Sequence, residues 1–90
     1  MKCIEIIVSG RVQGVGFRWY ALEKAKILHI TGYVKNERSG QVKILACGEA
    51  DMLEIFTDWM RQGPSYALID RCETSEVTVF TPYEDFNVKY

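Results

Sequence analysis

Residues 4–28 read IEIIVSGRVQGVGFRWYALEKAKIL, and the fold turns on how this stretch changes its period. Ile4, Ile6 and Val8 recur at every second position, the pattern of a strand with one buried face. Gly10, Gly14 and Gly16 then interrupt any regular pattern. From Phe17 the apolar positions are Phe17, Ala21, Ala25 and Leu28, which make one stripe of an amphipathic helix. A strand, a glycine-rich turn and a helix follow in that order.

The neighbouring segments extend the pattern. Ile30 to Asn36 reads as a second strand, Glu37-Arg38-Ser39-Gly40 as a turn, and Val42, Ile44 and Ala46 as the alternating positions of a third strand. Strands two and three should form a hairpin. Asp51 is placed to cap a second helix, with Glu54 three residues later as in a capping box. Met52, Ile55, Phe56, Trp59 and Met60 share one face of that helix, and Gly63-Pro64 ends it. Strand signals return at Ala67 to Ile69 and at Val77 to Phe80. Pro82 breaks the chain, and Phe86, Val88 and Tyr90 alternate in a last short strand.

The order is β-α-β-β-α-β with one further strand. It predicts an α+β fold, a ferredoxin-like α/β sandwich with two helices packed on one face of a mostly antiparallel four- or five-stranded sheet. In this topology strand three lies between strands one and two and runs against both. The C-terminal ends of strands one and two then meet at the same sheet edge. The loop after Gly10 should therefore neighbour Asn36, although 18 residues separate Arg18 from Asn36.

Composition bounds the function. A chain of 90 residues is expected to be a single domain spanning 1–90, with one core and a shallow site. Hydrophobic residues at 48% and charged residues at 26% are those of an ordinary globule. Eleven Lys and Arg against twelve Asp and Glu leave a net charge of −1, without the basic excess of an extended nucleic-acid binder. Cys3, Cys47 and Cys72 are an odd number and form no C-x-x-C pair. They are expected to be small buried thiols in a reducing compartment. The N-terminal apolar run is too short for a signal peptide, and nothing approaches transmembrane length. A soluble, cytoplasmic protein without a membrane partner is expected.

The loop Gln13-Gly14-Val15-Gly16-Phe17-Arg18 carries the chemistry. Gly14 and Gly16 permit turns that a Cβ would obstruct, so successive N–H groups can face one concavity. The first free N–H groups of the helix and its dipole add positive potential. The forked guanidinium of Arg18 can grip two oxygens of an anion. The pattern is neither a Walker A loop, which needs Gly-Lys-Ser/Thr, nor a dinucleotide fingerprint, because position 19 is Trp19. Glycines and one arginine alone equally fit a tight strand-to-helix turn with Arg18 solvated or ion-paired. Asn36 alone fits a residue that caps the hairpin better than a catalytic one.

A resemblance narrows the choice. Val8-Ser9-Gly10-Arg11-Val12-Gln13-Gly14-Val15-Gly16-Phe17-Arg18 resembles the first signature of the acylphosphatase family. Gly32-Tyr33-Val34-Lys35-Asn36, followed by Gly40, Val42 and Gly48, resembles the second. Gly48-Glu49, the second helix and Gly63-Pro64 are also similar to the family, so the resemblance covers nearly the whole chain. It implies hydrolysis of the carboxyl-phosphate bond of small acyl phosphates, giving a carboxylate and inorganic phosphate, with no metal or organic cofactor. In family terms Arg18 and the loop amides bind the phosphate, and Asn36 orients the attacking water. Inorganic phosphate is then a product and an expected inhibitor, and a monomer is expected.

The residues are compatible with that chemistry. His29, the one histidine, sits near the end of the first helix, away from the loop, and no carboxylate pair is apparent beside it. A carboxylate leaving group, whose conjugate acid has a pKa of roughly 4, needs no general acid. Phosphoryl transfer with a loose transition state rests mainly on positioning and charge stabilisation. Trp19, Tyr20 and Tyr33 could stack on a substrate, but read more simply as packing residues. Lys35 reads as a solvated strand residue, and Ser9 and Thr31 lack a base that would make them nucleophiles.

Two other readings compete. An RNA-binding sheet would want aromatic platforms and a basic surface, and the Lys/Arg-Gly-Phe/Tyr-Gly/Ala-Phe run is missing. An inactive domain of the same family would bind a phosphorylated partner without turnover. The presence of both Arg18 and Asn36 favours activity. A grip on the phosphate alone predicts poor discrimination among acyl groups.

Overall fold

The computed structural model describes residues 1–90. Its elements are β1 (Lys2–Arg11), α1 (Phe17–Ile27), β2 (Thr31–Asn36), β3 (Val42–Gly48), α2 (Ala50–Gln62), β4 (Leu68–Glu76) and β5 (Phe86–Lys89). The strands form one sheet in the order β4-β1-β3-β2-β5. Every neighbouring pair is antiparallel except β2 with β5. The expected ferredoxin-like α+β arrangement is present, with five strands.

Alternation along the strands puts one row of side chains against the helices. Ile4, Ile6 and Val8 face Ala46, Ile44 and Val42 across the β1–β3 pair, and Val34 continues the row on β2. These side chains pack with Phe17, Ala21 and Ala25 of α1 and with Leu53, Phe56 and Met60 of α2 in one buried cluster. Most of its members are completely buried, and each of the larger side chains contributes roughly 1.5–3 kcal/mol of transfer free energy.

The second helix departs from its expected start and face. It begins two residues earlier than an Asp51 cap requires, with Glu49 in extended conformation at the cap position. Asp51 Oδ1 instead accepts from the N–H of Met52, next to it, so no capping box forms. The buried stripe is Leu53, Phe56, Thr57 and Met60. Ile55 is exposed, while Met52 and Trp59 flank the core. The threonine at 57 disguised this face: its hydroxyl donates to the Leu53 carbonyl at 2.8 Å, which removes the cost of burying it.

The strand signals after α2 also resolve differently. One strand covers Leu68–Glu76, and Val77 to Phe80 lie outside regular structure. β4 is an edge strand with a mostly exposed, polar sequence, so its apolar periodicity is weak.

The cysteines require a correction. Cys3 and Cys47 face each other directly across the β1–β3 pair and are joined by a disulfide. Only Cys72 is free, and it is half-buried. Forty-four positions separate the bonded pair, so register rather than spacing brings them together. The bond removes the argument from free thiols to a reducing compartment. No helix is long and apolar enough to cross a membrane.

Candidate active site

The site begins where β1 leaves the sheet. Pairing with β4 shifts register between Ser9 and Gly10, and Gly10 has φ 125°. A Cβ there would collide with the Leu68 carbonyl oxygen. This bulge turns the chain out of the sheet just before the loop. Val12 and Phe17 are almost wholly buried and anchor the loop at both ends.

Between these anchors the backbone takes left-handed turns at Gly14, with φ 74°, and Gly16, with φ 79°. A Cβ at either position would meet no atom within 4 Å. Glycine is therefore favoured by the dihedral angles rather than by crowding. Gly16 caps α1, no side chain bonds to the free amides there, and no acidic residue lies in the first turn. The unengaged amides and the helix dipole remain available to an anion.

Gln13 links this loop to the β2–β3 hairpin. Its Nε2 donates to the Glu37 carbonyl at 2.7 Å and to the Gln41 carbonyl at 2.9 Å. Gln41 Nε2 in turn donates to Ser9 Oγ at 2.9 Å. Both side-chain donors of Gln13 are thereby engaged. Its part is to hold the loop in place against the strand that carries Asn36.

A surface cavity of about 200 Å³ lies between the loop and the sheet edge. Its lining includes Gly14, Gly16, Arg18 and Asn36, so the predicted adjacency of loop and β2 is present. Gln13 and Val15 belong to the loop but not to the cavity lining. Arg18 has the only charged side chain of the lining, and no acidic side chain shares it. Asn36 ends β2 opposite Val42, and its Oδ1 is buried without a hydrogen-bond partner in the protein. A buried acceptor left unpaired costs about 1–3 kcal/mol, which a polar ligand or water in the cavity would offset.

The other residues singled out in the sequence separate cleanly. His29 lines a different cavity with Thr31 and Asp85. Tyr20 is tied to α2 through its hydroxyl, which donates to the Trp59 carbonyl at 2.8 Å, and burial pushes its phenol pKa up. Tyr33 packs against Tyr83, and Lys35 pairs with Glu37 at 3.6 Å. Trp19, by contrast, lines the cavity.

Sequence reasoning missed Val88 of β5 and Tyr90 just after it, which complete the lining. The Arg18 guanidinium carbon lies 4.8 Å from the Tyr90 ring centroid, within cation–π range. The available signal was the Phe86-Val88-Tyr90 alternation. Its placement needed the parallel pairing of β5 with β2, which brings Val34 opposite Val88.

Comparisons with known proteins converge on one family. The family model described as Acylphosphatase matches residues 4–88. The chain is 44% identical over 87 residues to an acylphosphatase of Coxiella burnetii (strain RSA 493 / Nine Mile phase I), covering 97% of this chain and 90% of that one. It is similar to the crystal structure of acylphosphatase from Bacillus subtilis, with a TM-score of 0.96, 33% identity and full coverage of both chains. It is also similar to part of full-length HypF, crystallised in a phosphate- and nucleotide-bound form. There the TM-score is 0.92 at 33% identity, over 99% of this chain and 12% of that one.

Proposed function

The chain belongs to the acylphosphatase family, and from that premise we propose a division of labour within its active site. The activity is hydrolysis of the carboxyl-phosphate bond of acyl phosphates to a carboxylate and inorganic phosphate. In our reading the amides of Gly14 to Arg18 and the Arg18 guanidinium hold the phosphoryl oxygens, and Asn36 orients the attacking water.

The observation that carries this reading is the unpaired Asn36 Oδ1, buried in the lining of the cavity that also holds Arg18 and the loop. An amide oxygen with no protein donor can accept a hydrogen bond from a water and so aim the water's lone pair at phosphorus. Phosphate bound by the amides and guanidinium has its charge spread over fixed donors, which is what a loose phosphoryl-transfer transition state requires. The carboxylate leaves as a stable anion. The proton of the attacking water passes to a phosphoryl oxygen, because neither an acidic side chain nor a histidine lines the cavity. In the same reading the enzyme is monomeric and acts on a small substrate without metal or organic cofactor.

Hydrolysis of benzoyl phosphate, followed by its absorbance in excess EDTA, tests this. Acceleration over buffer with competitive inhibition by inorganic phosphate is expected. Activity abolished by EDTA would contradict the metal-free route, and inhibition that is not competitive would contradict the loop as phosphate site.

A further inference from the structure

Two large aromatic side chains stand beside the anion site without a structural task that accounts for both. Trp19 follows Arg18 in the first turn of α1, lines the cavity and is 64% exposed. No protein hydrogen bond holds its indole, and it has no aromatic partner, whereas Trp59 packs against the core. Tyr90 lines the same cavity and is fully exposed. The Arg18 guanidinium carbon lies within cation–π range of its ring. Val88 supplies an apolar surface between β2 and the opening.

This arrangement bears on the half of the substrate that the phosphate cradle does not hold. With the phosphoryl group on the loop amides and Asn36 beside it, the acyl group extends towards the cavity mouth. The mouth is bordered by two rings and a valine, with no acidic or lysine side chain among the lining residues. Such a border favours a flat or apolar group, since aromatic pairs gain contact beyond simple burial. We propose that Trp19 and Tyr90 form an acyl-group subsite that selects aromatic acyl phosphates over short aliphatic ones. The proposal rests on the phosphate position given above and sharpens it. It replaces the expectation of poor discrimination with a preference set by these rings.

The test compares kcat/KM for benzoyl phosphate and acetyl phosphate in the parent protein, Trp19→Ala, Trp19→Phe and Tyr90→Ala, with the inhibition constant of inorganic phosphate measured for each. The benzoyl-to-acetyl ratio should fall about 3- to 10-fold in Trp19→Ala and Tyr90→Ala, the size of one aromatic contact, and recover in Trp19→Phe. Ratios within twofold of the parent in both alanine variants would overturn the subsite. Equal losses for both substrates, accompanied by weaker phosphate inhibition, would overturn it too, because the rings would then serve the phosphate clamp alone. If inorganic phosphate fails to inhibit the parent protein competitively, the phosphate position fails, whatever the ratios show.

Discussion

Reducing the Cys3–Cys47 bond should cost much of the stability of this protein while leaving its chemistry in place. The bond closes a loop across 44 positions, which contains α1, β2 and most of β3. In the chain-entropy account a closure of that length is worth about 4 kcal/mol. Domains are typically stable by about 5–15 kcal/mol, so this is a large share. For a chain of this size 1 kcal/mol shifts Tm by about 5 °C, so reduction should lower Tm by about 20 °C. The assay is thermal unfolding followed by circular dichroism, with and without dithiothreitol, together with titration of thiols. One thiol per chain, Cys72, should titrate before reduction, and slowly, because burial pushes its pKa up. Three should titrate afterwards in denaturant. The bond joins the start of β1 to the end of β3, whereas the cavity lies beyond the other end of β1. Turnover at a temperature where the reduced chain is folded should therefore be unchanged. A Tm within 3 °C of the oxidised value, by our criterion, or three thiols reacting without reductant, would refute the reasoning.

Gln13→Ala should lose two hydrogen bonds to hairpin carbonyls, each worth about 1 kcal/mol, and should lower kcat about 10- to 100-fold by loosening the loop against Asn36. Unchanged kcat would remove its bracing role. Gly14→Ala meets no atom, so its cost is the positive φ alone, about 1–2 kcal/mol, and Gly14→Asn should cost less; urea unfolding of both variants reads the difference. The raised phenol pKa of Tyr20 adds an alkaline limit to stability. The folded state holds that proton more tightly than the unfolded chain, so the contribution is complete below pH of about 10 and is lost as pH rises through the folded value. Tyr20→Phe should cost about 1 kcal/mol at pH 7 through loss of the bond to Trp59, and should lose less stability than the parent between pH 9 and 11 in urea titrations, a window chosen to bracket an ordinary phenol pKa of roughly 10.

Local pattern and topology make much of this fold legible in the sequence. The alternation of Ile4, Ile6 and Val8 and the stripe from Phe17 to Ala25 are periods of the backbone itself, and all these residues are buried. The neighbourhood of loop and Asn36 followed from the order of strands alone. What escaped depends on tertiary register or on the satisfaction of one polar group. Cys3 and Cys47 share no local signal, and only the pairing of β1 with β3 brings them face to face. Leu53 was overlooked because a buried Thr57 interrupts its apolar stripe. Asp51 has the right side chain for a cap but sits inside the first turn, where its oxygen bonds locally. Tyr90 was legible as the end of an alternating strand, whereas its contact with Arg18 required β5 to add in parallel beside β2.

The separation of binding from water positioning is tested most directly by Arg18→Ala and Asn36→Ala assayed together, with benzoyl phosphate turnover and inorganic phosphate inhibition measured for each. Arg18→Ala should lose both, with turnover down at least about 100-fold, the loss typical of removing one well-aimed donor. Asn36→Ala should lose turnover by a similar factor while phosphate still inhibits at nearly the parent concentration. Near-normal turnover in Asn36→Ala would contradict the account.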